Sequence, residues 1–229
     1  MAFAIPVWQI PSIPIVGSDD TFPVRRIYCV GRNYAAHARE MGHDPDREPP
    51  FFFMKPADAV VLSGSTIPYP QATSDLHHEI EMVVALKSGG TDISVERANE
   101  CVFGYAVGLD LTRRDLQGEA KKMGRPWCMG KGFDRGAPCA PIHRVEDTGL
   151  IEAADIWLTV NGEMRQTSNI NALIWSVPET ISYLSGLVEL AAGDLIYSGT
   201  PDGVAAIGCG DVLHGHVAGL TDLHITIAE

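Results

Sequence analysis

One ten-residue stretch, His77 to Leu86, limits what this chain can fold into more than any other. Its first half alternates polar and apolar side chains and its second half runs into valine and leucine, a pattern typical of a β-strand. Because successive strand side chains point to opposite faces, Glu79 and Glu81 share one face with His77. The rise along a strand places the two carboxylates roughly 7 Å apart at Cβ. Both can therefore converge on one ion.

The setting of these two carboxylates decides between two interpretations. On an edge strand with a solvated face, which the Glu79–Glu81 spacing by itself favours, they need no partner. On a face that becomes core they must be paired, protonated or bound to a metal. A second predicted strand, Cys101–Leu111, adds Asp110 near its end. Three carboxylates make a hard-oxygen site, of the kind suited to Mg²⁺, Mn²⁺ or Ca²⁺.

The remaining pattern predicts an α+β chain made mainly of short strands. With 229 residues, 23 glycines and 15 prolines, we expect one turn-rich domain over residues 24–229, preceded by a Pro-broken, extended arm over residues 1–23. No alternation of strands and helices typical of βαβ units is present, which excludes a Rossmann or TIM-barrel architecture. Asn161-Gly162 predicts a hairpin turn, and Ser176-Val177-Pro178-Glu179 begins a predicted helix with proline at its first position.

Charge and cysteine content limit the partners and the compartment. The formal net charge of −12 argues against nucleic acid and anionic membranes as partners. The five cysteines are scattered and form no C-x-x-C pair, which indicates buried thiols in a reducing compartment. No segment is apolar enough to span a bilayer, and prolines interrupt residues 1–20, so that neither a signal peptide nor a membrane helix is expected. We therefore expect a cytoplasmic protein.

Seven segments in order carry a family resemblance. They are V-G-R-N-Y-A-A-H-A-R-E-M (30–41), F-x-K-P (53–56), H-H-E-I-E (77–81), G-L-D-L-T-x-R-D-L-Q (108–117), P-W-C-M-G-K-G-F-D (126–134), V-N-G-E-M-R-Q (160–166) and L-I-Y-S-G-T-P-D-G-V (195–204). The chain resembles the fumarylacetoacetate hydrolase family, in its small acylpyruvate hydrolase branch, over nearly everything from residue 24 on. The block from Val24 to Val61, with G-H-D-P-D-R-E-P-P-F-F-F, is most similar to members that act on fumarylpyruvate.

The resemblance implies a mixed β-sandwich roll, a homodimer and one Mg²⁺ or Mn²⁺ per subunit. It implies Glu79, Glu81 and Asp110 as metal ligands, the same three that the strand pattern indicates. His77 is then interpreted as a supporting residue, with zinc ligation as the alternative.

The resemblance also implies that His37 and Glu40 activate water. They lie three residues apart on a predicted helix, Ala35–Met41, for which Asn33 is a plausible N-cap. A carboxylate beside an imidazole suits a general base. Taken alone, such a pair is better explained by a solvated helix surface. In this family the helix is a lid that orders over bound ligand.

Six further residues are implied as contacts of the substrate or of the reacting carbonyl. Lys131 is expected to stabilise the developing oxyanion. The expected substrate-binding residues are Arg32, Lys55, Arg114, Gln117 and Thr200. The alternative for the cations is a structural ion pair in an acidic protein, and Thr200 is equally well explained as a turn residue.

The activity implied is metal-dependent hydrolysis of the C–C bond of a 2,4-dioxo acid. The expected substrate is 3-fumarylpyruvate, which gives fumarate and pyruvate in gentisate degradation; Arg32, Arg39 or Arg47 would face the distal carboxylate. In the expected mechanism the metal holds the 2-oxo acid head of the substrate. His37 and Glu40 activate a water molecule, which attacks C4. The alternatives are oxaloacetate decarboxylation, a decarboxylase or isomerase reaction of homoprotocatechuate degradation, and an inactive metal-binding scaffold.

Overall fold

The computed structural model describes residues 3–34 and 48–229, and its regular structure is mainly β. The described strands are β1 Ser12–Pro14, β2 Thr21–Pro23, β3 Arg26–Gly31, β4 Phe51–Lys55, β5 Val60–Leu62, β6 Ser65–Ile67, β7 Leu76–His77, β8 Ile80–Leu86, β9 Val102–Leu109, β10 Thr112–Arg113, β11 Ala137–Cys139, β12 His143–Arg144, β13 Asp155–Val160, β14 Glu163–Asn169, β15 Asp194–Tyr197, β16 Ala206–Ile207, β17 Val212–Val217 and β18 Leu223–Ile227. The described α-helices are α1 Val95–Ala98, α2 Arg114–Lys122, α3 Cys128–Lys131, α4 Val145–Thr148 and α5 Val177–Ser185.

Two mixed sheets form the body of the protein. The larger sheet has the strand order β4-β3-β15-β8-β9-β11-β5, and β12 pairs with β9 beside it. The second has the order β14-β13-β17-β18-β6. Parallel pairing occurs between β3 and β15, β5 and β11, and β6 and β18, while the other pairs within these sheets are antiparallel. The α+β, mainly β prediction is confirmed.

Strand β8 lies at the centre of the larger sheet, between β15 and β9, and all seven of its residues are buried. Ile80, Met82 and Val84 point into the core cluster between the two sheets. Val83 and Ala85 point into a second cluster on the opposite face. Because both faces are covered, the solvated-edge interpretation of Glu81 is excluded and its carboxylate is in the interior.

The predicted His77–Leu86 strand is divided between two separate strands in the structure. His77 ends β7, which belongs to a separate three-stranded sheet with β10 and β16, and β8 begins only at Ile80. His78 and Glu79 lie in the connection. Strict alternation therefore does not hold across this point, and His77 does not continue the face that carries Glu81.

Other local predictions are confirmed. Asn161 and Gly162 connect β13 to β14, with φ of 55° and 81°, as the hairpin signal predicts. Ser176 caps α5 in a capping box: Ser176 N and Oγ donate to Glu179 Oε2, over 3.0 Å and 2.7 Å. None of the helices in the described part of the chain is long and apolar enough to cross a membrane.

The predicted N-terminal arm has a folded and an exposed part. Its strands β1 and β2 pair with each other, and Ile13, Ile15 and Phe22 are buried in the second core cluster. Residues 3–10 form no strand and expose their large apolar side chains, because little of the described chain covers them. Residues 12–23 therefore pack against the body of the protein through this hairpin.

Candidate active site

Three carboxylates converge where β8 and β9 lie side by side. Glu81 is on β8, Asp110 directly follows β9, and Glu79 precedes β8. Asp110 N donates to Glu79 O over 2.9 Å, which holds the two backbones together. One oxygen from each carboxylate lies within 4.8 Å of the others, and all three residues are buried. We call this set the carboxylate cluster.

Lys131 of α3 inserts its ammonium among these oxygens. Its Nζ donates to Glu79 Oε2, Asp110 Oδ2 and Thr112 Oγ1, each over 2.7 Å. Burial by itself would lower the pKa of Lys131, but Asp110 and Glu79 outweigh that effect and raise it. The ammonium is therefore charged and fully hydrogen-bonded.

Lys55 occupies a different place from the one expected of a substrate contact. Its Nζ lies 2.8 Å from Asp110 Oδ1 and donates to the main-chain carbonyls of Leu111 and Lys131, over 2.9 Å and 2.6 Å. The side chain is wholly buried and does not line the cavity described below. Two carbonyl oxygens and one carboxylate oxygen of the protein thus surround the Lys55 ammonium.

Glu81 is the carboxylate with the least neutralisation in the metal-free protein. Burial, and then the nearby charges of Asp110 and Glu79, raise its pKa well above the ordinary range. Gly199 N donates to Glu81 Oε2 over 2.8 Å and offsets part of this effect. Lys55, Lys131 and Arg114 form ion pairs with Asp110 and Glu79, and the carboxylate oxygens of the cluster are ligands that hard divalent cations prefer. The donor set therefore fits Mg²⁺ or Mn²⁺.

A cavity opens onto the carboxylate cluster. It brings together four of the predicted substrate contacts with Lys131 and two aromatic side chains. Its polar and aromatic lining includes Arg32, Arg114, Gln117, Thr200, Lys131, Phe53 and Trp127. Positive groups beside the carboxylates allow an anionic ligand to enter this acidic protein, whose overall field opposes it.

Arg114 and Gln117 form one unit at the start of α2. Arg114 Nη1 donates to Gln117 Oε1 over 2.6 Å, and Arg114 Nη2 donates to Glu79 Oε1 over 2.5 Å. Their spacing of three residues places them on one face of the helix. Arg114 is thus both an ion-pair partner and a cavity residue, so that the two interpretations of the sequence do not exclude each other.

His77 points away from the cluster. Its Nε2 lies 2.9 Å from Asp75 Oδ1, and β10 and β16 flank its strand. Burial, followed by the charge of Arg114, lowers its pKa. The set of grouped ligand atoms contains Glu79, Glu81 and Asp110 without His77.

Gln166, which sequence reasoning did not assign, supports the site from β14. Its Nε2 donates to Thr200 Oγ1 over 2.9 Å and to Pro201 O over 2.8 Å. Its Oε1 accepts from Ile80 N over 3.1 Å and lies 2.9 Å from His78 Nδ1. Burial lowers the pKa of His78 to about 4, so the ring is neutral at pH 7. The one available signal was a glutamine at the end of the V-N-G-E-M-R-Q segment.

Asn33 makes hydrogen bonds that the sequence did not reveal. Its Nδ2 donates to Trp175 O and Ser198 O, over 2.9 Å and 2.8 Å, and its Oδ1 accepts from Trp175 N over 2.7 Å. These bonds join the turn after β3 to the strand end beside Gly199. The predicted helix Ala35–Met41, with His37, Arg39 and Glu40, and also Arg47, lies outside the described residues.

Comparison with known proteins agrees with this architecture. The family model described as fumarylacetoacetate (FAA) hydrolase C-terminal matches residues 26–228. The crystal structure of fumarylpyruvate hydrolase from Pseudomonas aeruginosa, in complex with Mn²⁺ and pyruvate, is 55% identical and superposes with a TM-score of 0.96, covering 99% of each chain.

Two curated relatives carry different activities in their names. Fumarylpyruvate hydrolase of Ralstonia sp is 43% identical over 189 residues, which is 82% of this chain and 98% of that protein. The mitochondrial oxaloacetate decarboxylase of Dictyostelium discoideum is 39% identical over 208 residues, 89% of this chain and 94% of that protein.

Proposed function

The chain belongs to the fumarylacetoacetate hydrolase C-terminal family, and on this premise we propose that it is a metal-dependent hydrolase of acylpyruvates. The proposed reaction converts 3-fumarylpyruvate and water into fumarate and pyruvate, as a step of gentisate degradation. One observation carries the proposal: a buried carboxylate cluster opens into a cavity lined by Arg32, Arg114 and Lys131. The similarity to fumarylpyruvate hydrolases supports the choice of substrate.

Glu79, Glu81 and Asp110 are the residues proposed to hold one Mg²⁺ or Mn²⁺. Bound there, the cation would supply Lewis-acid stabilisation of negative charge on the pyruvate half of the substrate. Arg114 and Lys131 hold Glu79 from two sides, at Oε1 and Oε2. Lys131 and Lys55 hold the two oxygens of Asp110. These bonds fix the orientation of two ligands before any ion enters.

The substrate head group is proposed to bind along the polar wall of the cavity. Arg114 and Gln117 offer a guanidinium and an amide, while Thr200 offers a hydroxyl whose orientation Gln166 sets through its 2.9 Å hydrogen bond. Such fixed donors recognise a carboxylate and an adjacent keto oxygen. Arg32 is proposed to face the distal carboxylate of the fumaryl group, with Arg39 and Arg47 as alternatives.

The proposed chemistry uses one water. His37, oriented by Glu40, removes a proton from the water, and the oxygen attacks the C4 carbonyl. Lys131 is proposed to donate to the resulting oxyanion, exchanging one of its three present acceptors for it; one such donor is worth about 3–4 kcal/mol. The C3–C4 bond then breaks, its electron pair stays on C3, and the proton from water returns there. The hydroxyl oxygen remains on the acyl half, which leaves as fumarate.

A direct assay tests this proposal. The purified protein with Mn²⁺ or Mg²⁺ is mixed with fumarylpyruvate, and loss of the diketo-acid absorbance is followed. We expect turnover in the wild type, severe loss in H37A with Mn²⁺ binding retained, and normal activity in H143A, a histidine of β12 outside the site. Full activity of H37A would remove the proposed base from the mechanism.

Oxaloacetate is the second candidate substrate, since relatives include an oxaloacetate decarboxylase and oxaloacetate tautomerases. Decarboxylation needs the same 2-oxo acid head but no attacking water. Rapid CO₂ release from oxaloacetate, with no turnover of fumarylpyruvate, would favour this reaction over hydrolysis. Loss of oxaloacetate without CO₂ release would instead indicate tautomerisation.

We also propose that the protein is a cytoplasmic homodimer. Residues 3–10 expose large apolar side chains, of which Phe3, Ile5 and Trp8 are 70–76% exposed. Such a strip favours burial against a second copy. The free buried thiols of Cys29, Cys101 and Cys139 fit a reducing compartment. Light scattering after size exclusion is expected to give a dimer for the full chain and a monomer after deletion of residues 2–10.

A further inference from the structure

A second group of metal-ligating side chains lies on the other sheet, remote in sequence from the carboxylate cluster. His214 on β17 pairs directly with His224 on β18, and their rings stack with centroids 4.3 Å apart. Asp222 precedes β18, and its Oδ2 lies 2.6 Å from His214 Nε2. One ligand atom from each of the three lies within 4.8 Å of the others. We call this set the histidine–aspartate cluster.

The strand pattern explains why these residues meet. Cross-strand partners of an antiparallel pair lie on the same face of the sheet, with Cβ atoms about 4.5–5.5 Å apart. The H-x-H segment of β17 therefore presents His214 and His216 on the face that also carries His224. This face is at most partly covered, since His214 and Asp222 are each about one-third exposed and His224 is exposed.

Asp222 is held in place by a residue outside the cluster. His216 Nδ1 lies 2.7 Å from Asp222 Oδ1, and the His216 ring stacks on Trp157 with centroids 4.8 Å apart. Trp157 also contacts His214 edge-on, at 4.9 Å. Because His216 binds Asp222 Oδ1, the other carboxylate oxygen, Oδ2, faces His214. The His216 contact is thus of the kind that orients metal ligands from outside the coordination sphere.

The donor types separate this cluster from the first one. Two imidazoles and one carboxylate suit borderline cations such as Zn²⁺ and Cu²⁺, whereas oxygen-only ligands suit Mg²⁺ and Mn²⁺. Zinc binds its ligands at about 2.0–2.2 Å, so the direct contact of 2.6 Å between His214 Nε2 and Asp222 Oδ2 opens when the ion enters between them. The exposed face leaves room for water as a further ligand.

We propose that His214, Asp222 and His224 form a second metal site, selective for Zn²⁺ and Cu²⁺ and distinct from the carboxylate cluster. The site links β17 to β18, so bound metal stabilises that strand pair. Binding there is independent of the proposed hydrolase activity.

Calorimetric titration with Zn²⁺ measures the stoichiometry and affinity of the site. The buffer contains saturating Mg²⁺ to occupy the carboxylate cluster. We expect one Zn²⁺ to bind the wild type and T226A, a control on β18 outside the cluster. H224A is expected to bind it at least about tenfold more weakly. At a free Zn²⁺ concentration of one hundred times Kd, the melting temperature of the wild type is expected to rise by roughly 5–10 °C.

Copper gives an independent readout, because among the three proposed ligands only the imidazole nitrogens split the lines of the Cu²⁺ electron paramagnetic resonance spectrum. We expect the pattern of two nitrogens in the wild type and in E81Q, and that of one nitrogen in H224A, where His214 remains. His224 is exposed, so H224A is expected to fold, and H224Q replaces it if the alanine variant does not. Zinc affinity and a two-nitrogen copper pattern that both persist in H224A would overturn the proposal.

Discussion

Gln166 donates to Thr200 over 2.9 Å, and this hydrogen bond connects β14 of the smaller sheet to the strand end that lines the cavity. The same amide also serves Pro201 O, Ile80 N and His78 Nδ1. One buried side chain therefore sets the orientation of a cavity hydroxyl and the start of β8.

Replacing Gln166 by leucine is expected to lower the free energy of unfolding by about 2–4 kcal/mol, because several buried polar groups lose their partner at once. Urea unfolding measures this change. T167A, an exposed neighbour on β14, is the control and is expected to stay within about 0.5 kcal/mol of the wild type. A Q166L variant as stable as T167A would show that these bonds contribute little.

Lys55→Met is expected to act on stability and not on substrate affinity alone. The substitution leaves Asp110 Oδ1 and two carbonyls without their buried ammonium. Because one partner of a buried ion pair is removed, the free energy of unfolding is expected to fall by about 3–5 kcal/mol. Urea unfolding of K55M and of K87M, an exposed lysine, gives the comparison. A stable K55M with a raised KM would instead restore the substrate-binding interpretation.

Glu81→Gln is expected to have opposite effects with and without metal. In the metal-free protein the pKa of Glu81 is raised, so its ionised form is disfavoured in the folded state at pH 7. E81Q removes that penalty and is expected to melt at or above the temperature of the metal-free wild type. Added Mn²⁺ is expected to raise the melting temperature of the wild type only, and chelator is expected to abolish its activity. An equal Mn²⁺ response in both proteins would contradict the assignment of Glu81 as a ligand.

Asp115 gives a pH-dependent contribution outside the metal ligands. Slight burial favours its neutral form, but hydrogen bonds from Thr73 Oγ1, Ser74 N and Leu116 N outweigh it and lower the pKa of Asp115. A carboxyl group whose pKa is lowered by folding stabilises the folded state at pH values above the ordinary aspartate pKa of about 3.9. This stabilisation is lost as the pH falls through the folded-state pKa. The D115N variant should therefore be less stable than the wild type at pH 7, and the difference should shrink towards pH 3.

Urea unfolding at several pH values tests the role of Asp115. D20N, at an exposed carboxylate near the N-terminus, provides the matched control. A deficit of D115N that stays constant from pH 7 to pH 3 would show that the carboxylate charge has no part in fixing residues 73–75 to α2.

Patterns within single segments predicted much of the fold. The Asn161-Gly162 turn, the helix that begins after Ser176 and the strand over Ile80–Leu86 are local signals, and the structure contains all three. The sequence pattern did not predict the break between β7 and β8. The break arises because β7, which contains His77, pairs with β10 and β16, and these strands are distant in sequence.

Sequence patterns and the family resemblance indicated the three carboxylates and the cations of the site, but they missed Gln166. What each of these side chains contacts depends on how the strands meet in the folded protein. Lys55 and Lys131 are the same residue type, and both are predicted to contact the substrate or the reacting carbonyl. In the structure Lys55 binds two main-chain carbonyls next to Asp110, whereas Lys131 lies between two carboxylates beside the cavity. The physical reason is that charge and spacing are properties of a segment, whereas burial and hydrogen-bond partners come from strands that meet only when the chain folds.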